Sequence, residues 1–89
     1  MEKKIVTPLI QTIVIEKEMK HYFDNEVRDL KNLIKRKPHW FDLMESKTKA
    51  LDRCYGVQEF AQHLGLDFET IDIEYTKLRE EIDALGVDN

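Results

Sequence analysis

Apolar positions near the C-terminal end recur at steps of 4, 3, 4, 3, 4 and 3: Leu64, Phe68, Ile71, Tyr75, Leu78, Ile82 and Leu85. Steps of three and four keep side chains on one face of a helix, whereas steps of two belong to a strand. Ile71, Ile73 and Tyr75 do alternate with acids, but over five residues against twenty-two for the helical pattern. Asp67 stands where a side chain can accept from the free amides of a first turn, and Gly86 where a left-handed residue closes a last one. The pattern therefore predicts a helix over 67–85. Just upstream, Val57, Phe60, Ala61 and Leu64 give a short helix over 57–63, with Gly65 at the turn between the two.

Towards the N-terminus, Ile15, Met19, Phe23, Val27, Leu30 and Ile34 form a second long stripe, with Tyr22 and Leu33 widening it. Proline is tolerated at the first helical position, so Thr7-Pro8 makes a start, and Pro38 disfavours a helical residue before it. This predicts a helix over 8–36, preceded by a frayed lead-in at Met1–Val6. Its first part, Leu9–Ile15, is nearly continuously apolar and β-branched, and a strand over 9–16 in an α+β fold is the alternative reading. Trp40, Met44, Leu51, Cys54 and Tyr55, with Leu43 beside them, place a third stripe on a helix over 39–54. Its middle, Glu45 to Lys49, is polar, Gly56 is its expected stop, and Trp40 reads first as closing one end of the core and second as an interface anchor.

The expected fold is an all-α bundle of three to four helices, about 8–36, 39–54, 57–63 and 67–85, in one domain spanning 1–89. A helix over 8–36 would be about 44 Å long, while a compact chain of this size has a radius of gyration of about 12 Å. Such a helix must project, bend near Asp24 and Asn25, or be covered by another copy. The apolar residues Leu9, Ile10, Ile13, Val14 and Ile15 lack an obvious cover within the chain. They are the expected self-association surface, and a homodimer is the expected state.

The net charge of −4 opposes a nucleic-acid or acidic-membrane role for the whole chain, and it is unevenly spread. Residues 1–54 carry 12 basic and 9 acidic side chains, whereas residues 55–89 carry 2 and 9. Glu69, Asp72, Glu74, Glu80 and Asp83 give the last helix an acidic face suited to a basic protein partner. The basic run Lys31, Lys35, Arg36 and Lys37 reads first as cations favoured at a helix C-terminus, and second as a contact for phosphate or an acidic partner.

Residues 57–76 resemble the helix-turn-helix superfamily: Ala61 lies four before the turn glycine Gly65, with Phe60, Leu64, Leu66 and Ile71 at the apolar positions that fix the two helices together. The resemblance implies a second helix able to enter the major groove, and hence a DNA-binding transcriptional regulator. Two positions depart from the pattern, Phe68 at a normally exposed site and Glu74 at a normally apolar one. The second helix also offers acids where phosphate contact asks for Arg, Lys, Asn or Gln.

Catalytic constellations are sparse. Ser46 has no evident base partner, the chain has no phosphate-cradling glycine loop, and Glu59, His63 and Asp67 share a spacing of four that the turn at Gly65 interrupts. One cysteine, Cys54, excludes an internal disulfide and fits a reducing compartment, and no apolar run reaches membrane-spanning length. The sequence reading is a cytoplasmic, non-enzymatic regulatory or adaptor protein that needs no cofactor or metal and works by binding another protein.

Overall fold

The computed structural model describes residues 8–87, with side chains from Gln11 onward. Three helices follow one another: α1, Pro8–Ile34; α2, Trp40–His63; and α3, Phe68–Ala84. They pack as an antiparallel up-down-up bundle. Arg53 of α2 reaches Glu26 of α1, while Tyr75 and the Asp83 carbonyl of α3 meet Leu51 and Lys47 of α2 in reversed order. The stretch 9–16 lies in α1, which settles the strand alternative in favour of helix.

Each boundary has a local cause. His39 caps α2, its Nδ1 accepting from the Phe41 amide at 3.1 Å. Asp67 caps α3 as its position implies: Oδ1 accepts from the Thr70 amide at 2.7 Å and Oδ2 from the Thr70 hydroxyl at 2.9 Å. Those bonds hold the Asp67 carboxyl below its ordinary range. Between the caps, the Gly65 amide donates to the Gln62 carbonyl and the Leu66 amide to the Ala61 carbonyl, the paired bonds that close a helix around a left-handed residue. Gly65 has φ +116°, which a side chain would strain, and the turn drops Leu66 into the core. Lys37 closes α1 in the same left-handed region, at φ 52°.

The core consists of Met19, Phe23, Val27 and Leu30 from α1, Ala50, Cys54 and Ala61 from α2, Leu66, and Ile71, Leu78 and Ile82 from α3. The α1 stripe from Ile15 and the α3 stripe from Ile71 onward fall where their spacing predicts, but Leu64 and Phe68, the first two positions of the C-terminal stripe, stand outside the core, Phe68 at 67% exposure. Two expectations for the middle of the chain are corrected. Gly56 does not stop a helix: α2 runs through it, so the segments 39–54 and 57–63 are one element. The buried face of α2 also sits roughly 65° around the helix from the expected one, successive residues being about 100° apart. Its buried side is Lys47, Ala50, Cys54 and Ala61, while Trp40, Met44 and Tyr55 stand in solvent. Ala50, Cys54 and Ala61 leave room for the large side chains of α1 and α3, while Lys47 is the one long side chain on this buried side. Trp40, 67% exposed, closes nothing.

The C-terminal ends of α1 and α3 are level, since Gly86 sits against Ile34 and Leu43, so tightly that a β-carbon there would stand 2.6 Å from Leu43 Cδ2. At about 1.5 Å per residue, the 27 residues of α1 outrun the 17 of α3 by about 15 Å. The excess projects at the N-terminal end of α1, and the molecule is accordingly long, 59 × 21 × 20 Å.

Candidate protein-binding surfaces

The overhang leaves a groove. Past the first turn of α3, α1 has only the end of α2 beside it, and between them opens an apolar cleft of about 400 Å³ bounded by Val14, Ile15, Met19, Tyr22, Phe60 and Leu64. A second hollow of about 390 Å³ continues it through Gln11, Val14, Ile15 and Leu64. Phe60 is 64% exposed, Leu64 54% and Val14 53%. Exposed side chains of this size scattered singly need no explanation, but gathered along one cleft they mark a surface for another molecule.

Of the expected self-association residues, the structure brings Val14 and Ile15 to this cleft and leaves Ile13 exposed nearby on α1. Leu9 and Ile10 belong to α1, but their side chains lie outside the described residues. Phe60 and Leu64, which the helix-turn-helix pattern would place between two helices, face outward, while Ala61, Leu66 and Ile71 are buried at that joint. Phe60 and Leu64 thereby become part of the cleft. The missed signal was the length difference between the helices, which uncovers the α1 side of α2.

The acidic residues of α3 divide into two groups. Glu69, Asp72, Glu80 and Asp83 are exposed and lie within about 80° of one another around the helix, opposite Ile71, Leu78 and Ile82. Among the described residues no ion pair engages these four side chains. Glu74 is different: it turns to the α1–α3 seam, where its Oε2 stands 3.5 Å from Lys20 Nζ and 3.9 Å from Lys77 Nζ. The Glu74 carboxylate, with Glu16 assisting, holds the Lys20 ammonium above its ordinary range.

At the opposite end from the groove, Lys31, Lys35, Arg36 and Lys37 are exposed beside a second apolar group, Trp40, Phe41 and Met44. The indole of Trp40 meets the Phe41 ring edge-on at 6.0 Å. Among the described residues no ion pair engages these four cations.

Titratable groups in the interior serve packing. Arg53 binds Glu26 with two 2.8 Å hydrogen bonds. Cys54 is fully buried, and burial, with the Glu26 charge adding to it, pushes its thiol up to about 12. Glu59 and His63 lie on α2 while Asp67 is committed to its cap beyond the turn, and among the described residues no three His, Cys, Asp or Glu side chains gather as a metal site. No described helix is long and apolar enough to cross a membrane.

No protein-family model, curated protein or solved structure matches the chain.

Proposed function

We propose that the protein is a small non-enzymatic regulatory or adaptor protein that acts by binding another protein through its helical faces. The observation that carries this reading is the apolar cleft at the α1–α2 end, where Phe60, Leu64 and Val14 are each more than half exposed. Such surface in water favours burial at about 25 cal/mol per Å², and a macromolecular partner supplies it. The outward carboxylates of α3 form a separate surface suited to a basic partner, with long-range attraction that speeds encounter rather than tightening the complex.

The test is a photo-crosslinking side chain placed at position 60, and separately at position 72, in cells that make the protein. Adducts larger than the chain by the mass of a protein at either position support the reading. Irradiation that yields none at both positions overturns it.

A DNA-binding regulator is the second reading, and the exposed cations Lys31, Lys35, Arg36 and Lys37 are what favours it. The α3 face opposes it with four carboxylates. Anisotropy titration with mixed duplex DNA separates the two: tight binding that weakens steeply with salt, as counterion release requires, would establish the second.

A further inference from the structure

Resting on the reading of the α1–α2 cleft as a protein-binding surface, we propose that its occupant is a second copy of this chain. The two copies would be related by a two-fold axis that sets the α1 overhangs antiparallel and packs each against the other's Phe60 and Leu64.

Area is the first argument. Val14, Tyr22, Phe60 and Leu64 are 53%, 36%, 64% and 54% exposed, on the order of 400 Å² of mostly apolar surface per copy. That is about half of the roughly 800 Å² that each partner buries in a standard-size interface, and the half-exposed Ile13 beside it adds further apolar surface.

Charge is the second. A chain with net charge −4 repels its own copies on most approaches, but Pro8–Ile15 contains no charged residue. The cleft is built from α1 and α2 alone, so copies that meet there keep the carboxylates Glu69, Asp72, Glu80 and Asp83 on their outer sides. One carboxylate, Glu18, does line the cleft, and Lys17 stands exposed beside it in the chain.

Shape is the third. The overhang is apolar on more than one side: Ile13 and Val14, about 100° apart around the helix, are both about half exposed. The chain's own α2 borders only the Val14 side. An isologous partner gives each overhang a second neighbour and receives the same in return, which closes the assembly at two.

The experiment is sedimentation equilibrium of the full chain from 1 to 100 μM, with Phe60→Asp, Val14→Asp and Asp72→Lys variants and circular dichroism on each. The expected result is a wild-type mass about twice 10.6 kDa, unchanged in Asp72→Lys. The other two variants should keep their helicity and dissociate at least about a hundredfold more readily, as central apolar anchors do. All three positions are solvent-exposed in the single chain, so loss of the dimer is separable from loss of the fold. A wild type that stays at the single-chain mass up to 100 μM overturns the pairing. So does a dimer indifferent to Phe60→Asp and Val14→Asp. A single-chain mass together with crosslinks from position 60 to a different protein would sink the self-pairing and leave the binding-surface reading standing.

Discussion

Arg53 closes on Glu26 across the α1–α2 seam with two parallel hydrogen bonds of 2.8 Å, Nε to one carboxylate oxygen and Nη2 to the other. The carboxylate is the buried partner and the guanidinium the half-exposed one. The hydrogen bonds from Arg53 hold the Glu26 carboxyl below its ordinary range, against desolvation that would raise it. Replacing Arg53 by Met should cost about 1–2 kcal/mol, because it strands a buried anion whose lost partner was only partly desolvated. Since the folded pKa is depressed, the stabilisation is present above the unfolded value, about 4.3, and is lost as pH falls through the lower folded value. Urea unfolding at pH 7 and pH 3 should show a larger acid loss for wild type than for Glu26→Gln. Equal losses would remove the pair from the acid-stability account.

Gly56 offers the opposite sign. It lies in the exposed interior of α2, and a β-carbon added there meets nothing within 4 Å. Alanine is better than glycine in a helix interior by about 0.5–1 kcal/mol, partly because it narrows the unfolded ensemble. Gly56→Ala should therefore raise the thermal midpoint by a few degrees, measurable by circular dichroism. A fall would mean that the chain needs a break at this position.

The middle helix departs from its hydrophobic pattern for a reason visible in its residues. Periodicity weights large apolar side chains, and it locates α1 and α3 because most of the large residues at helical spacing there, such as Phe23 and Ile82, are buried, although Phe68 at the start of α3 is not. In α2 burial falls to Ala50, Cys54 and Ala61, which periodicity barely registers, and to Lys47, which it counts as polar. Gly56 then looked like a stop because glycine is common at helix ends, yet packing on both sides of α2 outweighs a propensity cost of about 1 kcal/mol. Asp67 and Gly65 were legible because they act through local geometry, whereas the His39 cap of α2 was not, histidine being an uncommon capping residue. The cleft was half legible: Val14 and Ile15 were found from their uncovered apolar run, while Phe60 and Leu64 had been assigned to an interior joint.

Lys47 carries a prediction that composition would not suggest. Its stem is buried, and Nζ donates to the Asp83 carbonyl at 3.1 Å, one of the last carbonyls of α3 that lack an intrahelical partner. A cation at a helix C-terminus is favoured by the dipole as well. Lys47→Met keeps the stem and should lose about 1 kcal/mol, whereas Lys47→Ala adds the packing loss and should lose about 2 kcal/mol or more. Equal losses in chemical denaturation would show that the bond to Asp83 carries the effect alone.

The division of the α3 acids separates two charge reversals. Asp72→Lys alters an exposed position and should leave stability within about 0.5 kcal/mol of wild type. Glu74→Lys sets a third cation beside Lys20 and Lys77 on a partly buried seam and should destabilise by about 1–2 kcal/mol. If a basic partner binds α3, Asp72→Lys should slow its association and flatten the salt dependence while the fold persists. Matching stabilities for the two variants would place Glu74 on the outer face with the others.

The last prediction concerns Cys54, which the sequence presents as a lone thiol and the structure as a core atom between α1 and α3. With no exposed surface and a thiol pushed up to about 12, it is neither reachable nor ionised at pH 8. An aromatic disulfide reagent added to the folded protein at pH 8 should react at the rate of unfolding, and at once in strong denaturant. The same burial sets a sign for alkaline stability. The folded pKa is raised, so the contribution is complete below the unfolded value of about 8.5 and declines as pH rises from there towards 12. Cys54→Ala should abolish that part of the alkaline decline while opening a small void, at a cost of about 1 kcal/mol at neutral pH. Rapid labelling of the native protein at pH 8 would show that the α1–α2–α3 core opens far more readily than its packing implies.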